Sequence, residues 1–474
     1  MPPDQSRPLE GISMAHRPER PSPLPTFPGL ARWRRRHLGL FAALISLALT
    51  WAMAPASAAE SPGDLPEQGQ LIGKLVLPEG PGNEGWRQLT EKQAAASQDT
   101  PSRSLRDLAQ GQRKATLEAT EDEAPPSDVS TKADYDYYSW DECRQNDPDQ
   151  DETEFRHKNH FASCLVTRAR YEFYQRVGPF DIWVGEYTFR ITVLGRGERG
   201  VQRMRYDLDV DDWDSDGITS SAAPLGITMS CINLPNAECD TVGGGRQGTI
   251  SNWQFNGFDY ATFITTRSPG GGDFIHYDAD RVNYHQMRLR VTSATFTWER
   301  DYSFRCDAAT YVSGGGCIFH EVPATMHYSL TGDGVDDVAA HIKKAQDDPE
   351  NVYPGGIGTQ IPGGRKSGKP LTRLYPNMND DALSYYNANN RIARATCQQY
   401  DPNYGTPGLQ CDEYPFRSTW EGAYYTEDVP GSYWKYSAKM VNGDQNGKAG
   451  SDLGAWYTRD HILAKDSFWV QIDS

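Results

Sequence analysis

Apolar and polar residues alternate strictly through Glu186-Tyr187-Thr188-Phe189-Arg190-Ile191-Thr192-Val193, with the apolar side chains at odd positions. Met204, Tyr206, Leu208 and Val210 keep the same period, as do Met287, Leu289 and Val291. A period of two turns one face of a strand to a core and the other to water. The phase then changes to Ala294, Phe296 and Trp298, which predicts a bulge or turn near Thr292-Ser293. Residues 131–345 therefore read as a β-rich, antiparallel, sandwich-like domain.

The pattern changes on both sides of this region. Between 59 and 130 the only aromatic residue is Trp86, and Pro, Gly, Ser, Gln and mixed charge dominate. Such a stretch buries too little to offset its ordering entropy, so it reads as a flexible linker or pro-region, with a short helix around 90–110. On the far side, Tyr353-Pro354-Gly355-Gly356 and Ile361-Pro362-Gly363-Gly364 punctuate residues 346–370 and mark a boundary. The segment 346–474 follows. Within it, 453–462 is amphipathic and predicts a helix with Leu453, Trp456 and Tyr457 inward. The alternation over 467–472 predicts a last strand.

The N-terminus reads as an export signal. Arg32, Arg34, Arg35 and Arg36 precede an apolar run over 38–54, and Ala56-Ser57-Ala58 supplies a small-residue cleavage site. The expectation is a signal over 1–58 and a secreted, extracellular protein with no stable membrane association after cleavage. The eight cysteines fit an oxidising exterior. They contain no C-x-x-C and fall into close sequential pairs. Pairing neighbours gives Cys143–Cys164, Cys231–Cys239, Cys306–Cys317 and Cys397–Cys411 as the simplest disulfide set.

Composition narrows the function. With 64 acidic against 47 basic residues the formal net charge is -17, which excludes a generic nucleic-acid coat protein. It leaves room for an enzyme that reaches phosphate through a metal ion. Asp212-Trp213-Asp214-Ser215-Asp216-Gly217 has the D-x-D-x-D-G spacing of a calcium loop, although Ala223 stands where an EF-hand needs Glu. A solvated acidic turn is the plainer alternative. His157, His160, His276, His285, His320 and His327 form no H-E-x-x-H.

The sharpest constellation lies near the C-terminus. Cys411-Asp412-Glu413-Tyr414-Pro415-Phe416 is followed by Ser418-Thr419-Trp420-Glu421-Gly422-Ala423. Asp412, Glu413 and Glu421 would repel one another unless a proton or a hard cation relieves them. A strand pair around Asp412 and a helix after Asn446 would set carboxylates opposite an amide oxygen. Spacing alone leaves a solvated acidic loop equally open.

The run over 411–423 resembles the signature of the secreted NucA/NucB deoxyribonuclease family. Other positions fall in register: Leu371-Thr372-Arg373-Leu374, Asn390-Arg391 with Ala395-Thr396-Cys397, Asn446 seven residues before Leu453, Trp456-Tyr457, and Asp466-Ser467-Phe468 with Val470. The resemblance covers roughly 350–474. It departs at Gln445, where the family usually has Glu, at Ala449, where it usually has Gln, and at Lys465, which replaces a Gly.

The resemblance implies an α+β chain whose C-terminal part is a small ββα-metal-type nuclease, beside the sandwich-like middle domain. It implies DNA as substrate, a divalent cation (Mg²⁺ or Mn²⁺) and little sequence preference. On that analogy Asp412 is the general base, Glu413 or Glu421 with Asn446 holds the metal, and Arg391 and Arg417 are phosphate contacts. An inhibitor or immunity protein is a conceivable partner if the nuclease serves as a toxin. The reading from a different class is a secreted β-sandwich binding or adhesion protein with an inactive nuclease-like domain.

Overall fold

The computed structural model describes residues 71–78, 86–97, 136–145, 155–234, 237–255, 260–268, 270–312 and 314–474. The expected export signal lies outside them. In chain order the first strands are β1 (Leu71–Val76), β2 (Arg87–Thr90), β3 (Arg156–Asn159), β4 (Ala162–Val177), β5 (Phe180–Gly197), β6 (Arg203–Gly217) and β7 (Pro224–Ile232). Then come β8 (Cys239–Val242), β9 (Gly245–Thr249), β10 (Tyr260–Thr266), β11 (Asn283–Thr292), β12 (Phe296–Asp307) and β13 (Gly316–Ile318). Short helices α1 (Glu91–Ala96), α2 (Trp140–Arg144) and α3 (Ile250–Phe255) lie between them.

These strands form two sheets. One runs β1-β4-β5-β6-β10-β8 with β3 beside β4, and the other runs β13-β12-β11-β7-β9 with β2 beside β12. Phe189, Ile191, Val193, Met204 and Leu208 from the first sheet pack with Met287, Leu289, Val291 and Phe304 from the second. The alternating positions are thus the core, and the phase change is a tight turn in which the Ser293 N–H donates to Phe296 O at 2.9 Å.

Two expectations about this region need correction. Leu71–Val76 pairs along β4 and Arg87–Thr90 along β12, one strand for each sheet, so part of the expected linker is built into the sandwich. The sequence signal was short, but Leu75, Leu77 and Trp86 are buried in the core. The Asp212–Asp216 run is not a tight turn. It continues strand β6 through an irregularity at Asp212, whose φ is 52°, and Asp212 is committed to Arg168 at 2.6 Å. Among the described residues these three carboxylates do not form a group close enough to share a cation.

The remaining chain builds a second core. Its strands are β14 (Ala324–Ser329), β15 (Leu371–Thr372), β16 (Leu409–Tyr414), β17 (Ser437–Asn442) and β18 (Ser467–Asp473). Its helices are α4 (Asp336–Asp347), α5 (Asp380–Tyr400), α6 (Tyr425–Asp428) and α7 (Gly443–Arg459). β18 lies between β14, which runs parallel to it, and β15, which runs antiparallel. β16 and β17 form an antiparallel hairpin, and α7 follows directly. Leu453, Trp456 and Tyr457 of α7 pack with Val338, Ile342 and Ala345 of α4 and with Phe468 and Val470 of β18. This core starts at Ala324, ahead of the expected boundary at 346, because β14 and α4 bury their apolar faces on it.

The two cores are joined by a buried polar contact. Arg305 of β12 donates to both oxygens of Asp466, at 2.7 and 2.8 Å. His276 Nε2 lies 2.9 Å from the same carboxylate, and its Nδ1 lies 3.0 Å from Asp273 Oδ2. His461 meets Asp307 at 3.0 Å, and Leu463 is buried with Leu234, Val282 and Tyr284 of the sandwich. Asp64–Ser474 accordingly forms one compact unit.

Candidate active site

Asp412 sits in the middle of β16, directly across from Lys439 of β17. Its side chain points toward α4 and is buried. There His341 Nδ1 lies 2.6 Å from Asp412 Oδ2. A carboxylate only accepts, so the ring nitrogen donates. The other ring nitrogen of His341 lies 2.8 Å from Ser437 Oγ. His341 is 1% exposed, and both its nitrogens are engaged, so the ring has one orientation and imposes it on Asp412. Asp412 Oδ1 takes no hydrogen bond from the described residues.

The helix that carries His341 is fastened to the start of α7. The Asp337 N–H donates to Gln445 Oε1 at 2.7 Å, and the Asn442 N–H donates to Asp337 Oδ2 at 3.2 Å. Asn442 also caps α7, its Oδ1 accepting from the N–H groups of Asp444 and Gln445. Gln445, one of the departures from the family pattern, is therefore occupied as an acceptor between the two helices. Ala449, another departure, is buried, and its carbonyl accepts from Tyr328 at 2.8 Å.

Alternation along β16 separates the two adjacent acids. Glu413 pairs across the hairpin with Ala438, which packs with Ile392 and Ala393 of α5. Glu413 is half-buried and has no hydrogen bond or ion pair with the described residues. Burial pushes its carboxyl up to about 8, the Asp412 charge adds to this, and Arg417 opposes it. Asn446, in the first turn of α7, lies on the Asp412 side, where its Nδ2 donates to Gln410 Oε1 at 3.3 Å. Its own carbonyl oxygen accepts nothing from the described residues.

Glu421 is committed locally. Its Oε2 accepts the Thr372 N–H at 2.7 Å and its Oε1 the Thr372 hydroxyl at 3.1 Å. Burial raises its carboxyl, and these bonds together with nearby Lys369 act the other way. The turn that carries Glu421 is pinned by Asn389 of α5. The Asn389 amide donates to the carbonyls of Arg417 and Thr419, both at 3.0 Å, and accepts from the Tyr424 N–H at 2.8 Å. A Cβ at Gly422 would come within 2.4 Å of that amide, so only glycine fits there.

The structure thus gathers Asp412 and Asn446 on one side of the hairpin and sets Glu413 on the other, with Glu421 holding β15. Arg391 and Arg417, expected at phosphate, have protein partners: Arg391 reaches Glu427 at 3.3 Å, and Arg417 lies on the Tyr386 ring at 3.9 Å and bonds Asn387. His461, the histidine nearest the motif in sequence, is fully buried against Asp307 at the sandwich contact. His341 escaped the sequence reading because it lies ahead of the motif. Its place on the apolar face of an amphipathic stretch, with Val338, Ile342 and Ala345, was the available signal.

All four neighbour disulfides form. Cys397–Cys411 ties the end of α5 to β16, one residue before Asp412. Among the described residues the group of Cys, His, Asp or Glu close enough to share a cation is Cys231, Cys239 and His285. The two sulfurs there are bonded to each other, so they offer no thiolates.

The hairpin thus presents a buried, histidine-held aspartate beside the first turn of a helix with an amide oxygen that accepts nothing from the described residues. Residues 366–471, in the C-terminal region, match the family model described as Deoxyribonuclease NucA/NucB. No curated protein and no solved structure matches the chain. The match begins after β14 and α4, so His341 is supplied from outside it.

Proposed function

We propose that this protein is an exported, metal-dependent endonuclease that hydrolyses DNA with little sequence preference. The observation that carries the reading is Asp412, fixed by His341 within the segment that matches the deoxyribonuclease family. Asp412 Oδ1 is the general base that takes a proton from the attacking water. His341 holds the carboxylate in one rotamer and stabilises its charge by donating to the other oxygen. Lys439, exposed and directly across the hairpin, is better placed than Arg391 or Arg417 to meet the scissile phosphate.

The donor set suits a hard cation. Asn446 offers a free carbonyl oxygen, and Mg²⁺ or Mn²⁺ needs only one or two protein oxygens, with water in its other positions. Glu413 faces the other side of the hairpin, so Asp412 is the carboxylate on the same side as Asn446. A bound cation would polarise the phosphate and stabilise the leaving oxygen. Glu421 acts through Thr372, keeping β15 against β18. Four disulfides support an oxidising destination. Little base specificity is expected, since no recognition element for a groove accompanies the site among the described residues.

The test is nicking of supercoiled plasmid by residues 59–474 with Mg²⁺, Mn²⁺ or EDTA, beside Asp412→Asn. Cation-dependent nicking that the variant loses supports the reading. Folded protein that nicks under no condition sinks it.

A further inference from the structure

Lys369 lies three residues ahead of Thr372, the residue that Glu421 grips. Its ammonium stands 4.3 Å from the centre of the Tyr425 ring and 5.4 Å from that of Trp434. It has no ion pair among the described residues. The Tyr433 ring adjoins Trp434 at 5.0 Å, and Tyr433 is 57% exposed. The group is held by backbone bonds. The Gly363 N–H donates to Lys369 O at 2.8 Å, the Gln360 N–H to Tyr433 O at 3.2 Å, and the Lys435 N–H to Gln360 O at 2.8 Å. A cation between two aromatic rings, beside a third ring open to solvent, is therefore preset on two cross-bonded segments.

The rings attract the ammonium through their faces and leave its hydrogen-bond donors for an anion. Tyr433 presents a flat surface on which a nucleobase can stack. One phosphate and one base face make a nucleotide. In a duplex each base face is covered by its neighbours, so only an unpaired nucleotide can use both features. We infer that Lys369, Tyr425, Tyr433 and Trp434 form a subsite for an unpaired nucleotide of the DNA substrate, which favours single-stranded or frayed DNA. The inference rests on the nuclease reading for its substrate class, and Lys369 lies three residues ahead of Thr372, which Glu421 holds.

Binding without cleavage separates the two ideas. A fluorescein-labelled oligomer of about twelve thymidines and a hairpin duplex of about twelve base pairs would be titrated with the protein in EDTA, read by anisotropy. The oligomer should bind more tightly than the duplex. Tyr433→Ala and Lys369→Gln should each weaken oligomer binding about tenfold and leave duplex binding nearly unchanged. Lys369→Gln should also flatten the dependence on salt by roughly one phosphate contact. Tyr433→Phe keeps the ring and should restore binding. Equal affinity for oligomer and duplex, or variants within twofold of the parent, overturns the subsite even if plasmid is nicked. Oligomer binding that needs both side chains, in a protein that nicks nothing, supports the subsite and defeats the nuclease reading instead.

Discussion

Arg305 of the sandwich donates two parallel hydrogen bonds to Asp466 in the loop between α7 and β18. The carboxyl of Asp466 is buried. Arg305 and His276 outweigh that burial and hold it far below the usual carboxylate range. Removing one partner of such a pair leaves an uncompensated charge in the interior. Asp466→Asn should therefore lower unfolding stability by about 3–5 kcal/mol in urea titrations. The same contact predicts that residues 346–474 alone will not make a folded nuclease. That piece lacks β14, α4 with His341, and every sandwich partner of Asp466 and His461. Circular dichroism and hydrogen exchange of this fragment, beside 64–474, would show the difference.

The same contact has a pH signature. Burial alone would lower His276, but the carboxylates of Asp273 and Asp466 win and raise it to about 9. A raised folded value means its stabilisation is complete below the unfolded value near 6.5 and is lost as pH rises through 9. The loss should be on the order of 3 kcal/mol. Melting curves should fall between pH 6.5 and 9 in the parent and flatten over that window in His276→Gln. An equal slope in both would assign the effect elsewhere.

Asp412 and His341 should fail differently. Asp412→Asn removes the base and should reduce plasmid nicking by about 10²–10⁴. His341→Gln keeps the base but frees its rotamer, a misplacement that costs about 10². His341→Asn sets an amide N–H where Nδ1 stands and should recover part of what Gln loses. Parent-like turnover in His341→Gln at an unchanged melting temperature would exclude the positioning role.

Glu413 should behave as a neutral acid at pH 7 in the cation-free protein. Its folded value near 8 stands above the unfolded one, so its cost appears as pH rises from 4.5 through 8. Glu413→Gln should stabilise the protein above pH 8 by about 2 kcal/mol, allowing for its partial exposure, and should change little at pH 4. Because Glu413 faces away from Asn446, Mn²⁺ binding at pH 7 should release the same number of protons in the parent and in the Gln variant. Calorimetry in two buffers of different ionisation enthalpy reads this directly.

Cys397–Cys411 closes a short loop, and its removal should cost about 3 kcal/mol by chain entropy. Paired Ser variants should lose nicking at temperatures where the remainder of the chain is still folded, since the bridge adjoins Asp412.

The sandwich was legible because its period of two is long and unbroken in β5, β6 and β11. The hairpin and α7 were legible from the spacing of Asp412, Asn446, Leu453 and Trp456. What escaped were short or distant partners. β1 and β2 have too few residues to show a period, and their burial comes from strands more than ninety residues away. His341 looks like any histidine on an apolar helix face until the hairpin folds beneath it. Asp412 and Glu413 read as a pair in sequence, yet the pleat sends them to opposite faces. Lys369 carried no signal of its own, because its rings come from a segment some sixty residues later.

The last strand of the chain, β18, is the middle strand of its sheet, flanked by β14 and β15. Neither neighbour can settle until β18 arrives, and the loop just before it is the part gripped by the sandwich. Synthesis makes the hairpin with Asp412 before β18, so the hairpin lacks the core that Phe468 and Val470 complete until β18 has joined its sheet.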